Sequence, residues 1–188
     1  REILRSLKGW LPTIIRPRET DLYVFYAGHG MPAADGSSAY IVPYDGDVMP
    51  LDDTAISRDR FFTEIDAWSP RSATFFFDSC FSGATRSEEL LVAARPLGIK
   101  VQDDEVPDNF LVFNAGESDQ IAGVIDEVRH GRFSYFLFKG LEGAADVNQD
   151  RRISAEELHS YVREKVTRFS AGSQTPEMMG DTSGWVIN

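Results

Sequence analysis

The 188-residue chain has a single cysteine, only three histidines and no apolar run longer than a β-strand. One cysteine excludes an internal disulfide framework and any multi-cysteine zinc site, and it suits a reducing, cytoplasmic setting. Such a residue is either core filler or chemistry. The apolar runs at 73–77 and 110–113 fall far short of the ~20 residues that cross a bilayer, which argues against a membrane partner. Basic residues are scarce as well, 19 against 30 acidic ones, for a net charge of -11. That balance argues against nucleic acid or an anionic membrane and weakly favours basic ligands. The chain also opens without an initiator Met, an N-cap or a targeting pattern, directly on an amphipathic helical stretch. We therefore expect a piece of a longer protein. No internal repeat or low-complexity tract occurs.

Apolar residues make up 42% of the chain, 13 of them Phe. That is enough for one core of ordinary size, so residues 1–188 are read as a single domain. The run Leu-Tyr-Val-Phe-Tyr within 21–27 reads as a strand buried on both faces, ending at Gly28-His29-Gly30. Residues 31–56 are rich in Pro, Gly and Asp around a short strand at 40–42. Ser57 then caps a helix through Phe61, Phe62 and Ile65. A second buried strand at 73–78 ends in Asp78-Ser79-Cys80, and a third, 110–115, leads into Gly116-Glu117-Ser118-Asp119. A helix is expected across Phe133, Phe136, Leu137 and Leu141. The last, 154–169, places Leu158, Tyr161, Val162 and Val166 on one face. Residues 85–108 form a charged, exposed connection between a larger and a smaller part. Strands alternating with helices predict an α/β sandwich whose mostly parallel sheet binds ligands at the strand carboxyl ends. His29, Cys80 and the turn at 117–119 all fall there.

A thiol becomes an effective nucleophile when a nearby imidazole takes its proton. Parallel strands ending in His29 and Cys80 supply that pair. Glycines at 28, 30 and 83 let backbone approach a substrate, and the amides of Gly30 and Cys80 are candidates for an oxyanion hole. Taken singly, a lone Cys is usually a small core residue and a lone His structural. The pairing at matching strand ends outweighs those readings.

Tyr26-Ala27-Gly28-His29-Gly30 and Phe77-Asp78-Ser79-Cys80-Phe81-Ser82-Gly83 resemble the two catalytic motifs of metacaspases and bacterial caspase-like peptidases. The His-to-Cys separation of 51 residues agrees with the caspase spacing of about 50. Similarity continues through Gly131-Arg132-Phe133-Ser134-Tyr135 and the last helix. The resemblance implies a caspase-hemoglobinase three-layer sandwich, a cysteine endopeptidase using a Cys80–His29 dyad, and protein or peptide substrates. It also implies a strand ahead of the one at 21–27 that this chain lacks, making an upstream segment of the same protein an expected partner. Caspases carry Gln two residues before the nucleophile, whereas metacaspases carry Asp. Asp78 thus implies an S1 pocket for Arg or Lys, with Glu117 and Asp119 as further candidates; an acidic P1 side chain would meet a like charge. Arg86, Arg95 and Lys100 become candidate self-cleavage sites. The rival reading is a catalytically silent scaffold of the same family.

No cofactor is required by a Cys-His dyad, but Ca2+ has a candidate site. Asp146, Asn148, Asp150 and Glu157 match EF-hand loop positions one, three, five and twelve. Arg151 replaces the glycine of position six and is expected at positive φ, at a cost on the order of 1 kcal/mol. The bland alternative is a loop whose acids cap the following helix. By resemblance to calcium-activated metacaspases, Asp45 and Asp59 stand near a second acidic cluster, with Asp52 and Asp53 close by. Arg58 takes the place of an acid there.

Overall fold

A strand that packs between two layers of helices needs apolar side chains on both faces, and three phenylalanines in a row at 75–77 satisfy that demand. The protein, seen in a computed structural model, is described over residues 2–33, 35–46, 51–81, 105–118, 120–125 and 129–187. Its strands are β1 (Asp21–Ala27), β2 (His29–Pro32), β3 (Ala39–Val42), β4 (Ile56–Ser57), β5 (Ser72–Asp78), β6 (Phe110–Asn114), β7 (Val124–Ile125), β8 (His130–Gly131), β9 (Ile153–Ser154), β10 (Glu177–Gly180) and β11 (Val186–Ile187). The main sheet has the order β1-β5-β6-β10, the first three parallel and β10 antiparallel. This is the expected α/β arrangement with a mostly parallel central sheet. A small antiparallel sheet, β2-β3-β4, stands beside it, with two-stranded pairs β7–β8 and β9–β11.

Alternation along the central strands divides the core in two. Phe75 and Phe77 of β5 and Phe110 and Val112 of β6 face a layer holding Leu7, Phe61, Phe62 and Ile65, contributed by the helices Glu2–Lys8 and Arg58–Asp66. Phe76, Leu111 and Phe113 face the opposite layer, where Phe133 and Leu137 of the helix Arg132–Lys139 meet Leu158, Val162 and Val166 of the helix Ala155–Phe169. Ser57 caps its helix by accepting from the Arg60 amide at 3.3 Å. Ser154 and Glu157 close a reciprocal capping box on the last helix, satisfying amides that have no intrahelical partner.

Two expectations need correction. β1 is not buried on both faces: Leu22, Val24 and Tyr26 pack on the core while Tyr23 and Phe25 are 52% and 47% exposed. The cause is its place at one edge of the main sheet among the described residues. The helix expected to run through Leu141 ends at Lys139 and continues as a π-helical turn, Gly140–Ala144. Past Gly28 the chain enters β2 at His29. Residues 82–104, which take in Gly83 and, from the charged connection, Arg86, Arg95 and Lys100, lie outside the described residues.

Candidate active site

Parallel pairing places the site. Ala27 of β1 lies level with Asp78 of β5, and the Gly28 amide donates to the Asp78 carbonyl at 3.3 Å. Two residues beyond each member of that pair stand His29 and Cys80, so one register brings imidazole and thiol to the same sheet end. Both line a cavity of about 440 Å3, together with Gly30, Asp78, Gly131 and Ser134.

The Cys80 side chain is buried, 6% exposed. Its Sγ accepts from the Ala122 amide at 2.9 Å, and the thiol lies 3.8 Å from the Ala122 carbonyl. His29 stands exposed across the cavity. Its backbone is held by Tyr26, whose hydroxyl approaches the His29 carbonyl at 2.7 Å and the carbonyl of Val42, its cross-strand partner, at 2.9 Å. Burial pushes the Tyr26 phenol up to about 12, so it remains a donor throughout the neutral range.

Asp78 forms the buried floor at 1% exposure. Its Oδ2 accepts from the Ser134 amide at 3.3 Å and from the Ser134 hydroxyl. Ser134 lies in the first turn of Arg132–Lys139, where an anion is favoured by unpaired amides and the helix dipole. A side chain at Gly131 would place its Cβ 1.9 Å from Asp78 Oδ2. Glycine there is what admits the carboxylate. The glycine before Met31 has a different cause from the substrate access expected of it: a Cβ on Gly30 would sit 2.5 Å from the Phe81 ring and 2.6 Å from Ser79 Oγ. Close packing under the Cys80 turn requires it.

Of the two other expected acids, Glu117 is among the described residues. It is absent from the cavity lining, and its Oε2 accepts from Gln120 Nε2 at 3.2 Å. Asp119 lies outside the described residues. Arg129 and His130, unremarked in the sequence, line the cavity beside Gly131. Arg58 is buried, its guanidinium 4.8 Å from the ring centres of both Phe77 and Phe81; the cation underlies the strand that carries Cys80. Only its flanking aromatic run hinted at this. Asp53 and Asp59 are exposed.

In the EF-hand-like loop, Arg151 adopts φ 65° as its position demands. The side-chain oxygens there serve the loop itself. Asp146 accepts from the amides of Asp150 and Arg151, Asn148 from Asp150, and Glu157 from Ser154. Among the described residues no group of three His, Cys, Asp or Glu is placed to hold a metal ion. In this arrangement the oxygens cap a turn and the last helix.

The fold thus gathers a thiol, an imidazole and a buried acid around one cavity at the carboxyl end of a mostly parallel α/β sheet. The caspase-domain family model matches residues 6–183, and the chain belongs to that family of cysteine peptidases. Two of the many solved structures that share its fold show the extent of the likeness. A protein of Geobacter sulfurreducens is 15% identical with a TM-score of 0.63, covering 96% of this chain and 73% of its own. Caspase-1 from Spodoptera frugiperda is 16% identical with a TM-score of 0.59, covering 95% of this chain and 66% of its own. No curated protein matches in sequence. Among the described residues, no helix is long and apolar enough to cross a membrane.

Proposed function

We propose that the chain is the catalytic part of a metacaspase-like endopeptidase that cleaves proteins after Arg or Lys. The observation that carries this reading is the Ala27–Asp78 register, which sets His29 and Cys80 around one cavity floored by a buried carboxylate. His29 takes the thiol proton as Sγ attacks the scissile carbonyl, then returns it to the leaving amine. The amides of Gly30 and Cys80 receive the developing oxyanion, a contribution on the order of 3 kcal/mol per donor in related chemistry. Water, activated by the same imidazole, hydrolyses the acyl-enzyme. No chemical step of this dyad uses a metal.

Asp78 selects the P1 side chain. A guanidinium or ammonium entering the cavity gains a charge-assisted bond to a desolvated acid, while an acidic side chain is repelled. Glu117 is engaged with Gln120 and takes no part in this selection, whereas Asp119 is a further candidate acid for it. Arg86, Arg95 and Lys100 are the candidate self-processing sites. Among the described residues β1 is an edge strand of the main sheet, which supports pairing with an additional strand from an upstream segment of the same polypeptide.

The test is a pair of fluorogenic peptides differing only in Arg or Asp at P1, assayed on the full-length protein. Arg should be preferred by at least about 100-fold, as expected for a buried charge pair, and Cys80→Ala should abolish turnover. Preference for Asp would sink the assignment of Asp78.

A further inference from the structure

Gln174 is fully buried, 0% exposed, in the turn that follows the last helix. Its backbone is fixed by Ser170, whose Oγ accepts from the Gln174 amide at 3.0 Å and lies 3.2 Å from its carbonyl. The side chain spans two loops. Its Nε2 donates to the Ala115 carbonyl at 2.8 Å, and its Oε1 accepts from the Gly123 amide at 2.9 Å. Each partner is of one kind, acceptor or donor, so the orientation of the amide is determined.

The Gly123 N–H and the Ala122 C=O belong to one peptide unit. Gln174 holds its amide side while its carbonyl faces the Cys80 thiol at 3.8 Å. The preceding amide, that of Ala122, donates to Sγ at 2.9 Å. That is the length of an ordinary N–H···O bond although sulfur is the larger atom. A donor so placed favours the thiolate over the thiol. Gln120 braces the same loop from the other side, its Oε1 accepting from the amides of Thr175 and Glu117.

We propose that Gln174 is a positioning residue that holds the Ala122 amide against Cys80 and so keeps the thiolate accessible near neutral pH. The proposal rests on Cys80 being the nucleophile, but its readout needs no substrate. Cys80 is the single cysteine of the chain, so the pH dependence of its alkylation by iodoacetamide reports this one thiol. Gln174→Met keeps the volume and removes both bonds. The alkylation midpoint should rise by about one pH unit, a tenfold loss of thiolate at fixed pH. Ser170→Ala loosens the same turn without touching the Gly123 bond and should leave the midpoint in place. An unchanged midpoint in folded Gln174→Met, or an equal shift in Ser170→Ala, overturns the proposal.

Should Gln174→Met fail to fold, the unaltered protein still decides. The Ala122 amide resonance should titrate with the Cys80 thiol, and an Ala122 amide indifferent to that ionisation refutes the contact. Absent turnover with a shifted midpoint would count against the peptidase reading alone.

Discussion

Replacing Gly131 with alanine adds one methyl group at a backbone conformation, φ -58° and ψ 142°, that alanine adopts without strain. On backbone grounds alone the change should stabilise the fold by ~0.4–1 kcal/mol through the unfolded chain. The cavity wall says otherwise, since the new Cβ would lie 1.9 Å from Asp78 Oδ2 and 2.8 Å from its Cγ. Relief requires the carboxylate to swing away from Ser134 or the helix start to retreat. Overpacking of this kind costs about 1–3 kcal/mol, and a hydrogen bond to a charged acceptor is worth about 1.5–3 kcal/mol. We expect a net destabilisation of about 2–4 kcal/mol, read as a lower denaturation midpoint at unchanged m-value, together with at least a tenfold loss of kcat/KM on an Arg substrate. Adding Asp78→Ala should remove most of the stability penalty, because the clashing atoms are then gone. A Gly131→Ala protein as stable as the parent would refute the argument that this glycine exists to admit the carboxylate.

Other outcomes follow from the same geometry. Tyr26→Phe leaves the His29 and Val42 carbonyls without their shared donor and should cost about 1–3 kcal/mol, with kcat falling more than KM rises in steady-state assays. Arg58→Lys keeps the charge but loses the planar stacking on Phe77 and Phe81, so a loss of about 1–2 kcal/mol is expected by chemical denaturation. Arg151→Gly relieves a non-glycine residue at φ 65° and should raise stability by about 1 kcal/mol, seen as a higher melting temperature. The Arg71 guanidinium, hydrogen-bonded to Asp21, holds that carboxyl below its ordinary range. Its folded value is therefore the depressed one: the stabilisation is present above the ordinary carboxylate value and is lost as pH falls through the lowered value. Asp21→Asn should flatten the acid limb of the stability profile, measured by denaturation at stepped pH.

The central strands and the two motif-bearing turns were legible because their signals are local. Three Phe in succession fit a strand between two layers, and His29 and Cys80 each follow such a run. Long-range facts were not legible. Nothing in Leu-Tyr-Val-Phe-Tyr distinguishes an edge strand from a central one, because the neighbour that covers a face is set by topology. β10, Glu177–Gly180, carries too little apolar alternation to announce itself, and it becomes a strand by pairing with β6. Glu117 and Gln174 show the same limit from opposite sides. The first is an acid at a strand end that turns to a neighbouring glutamine, not to the cavity. The second lies in a Ser-Gln-Thr-Pro stretch that reads as exposed turn, yet it is completely buried.

His29 belongs to the β2-β3-β4 sheet, whereas Cys80 hangs from β5 of the main sheet. On the proposed mechanism, readiness of the sulfur and completion of the reaction are thus governed by separate stretches of chain. Substitutions in β3 or β4 that tilt the small sheet should lower turnover more than they lower alkylation of Cys80, because turnover also needs the imidazole to return the proton to the leaving amine. Those around Ala122 and Gln174 should act on the alkylation first. Two dials, one for reactivity and one for productive alignment, give evolution a way to silence such a peptidase gradually without discarding its nucleophile.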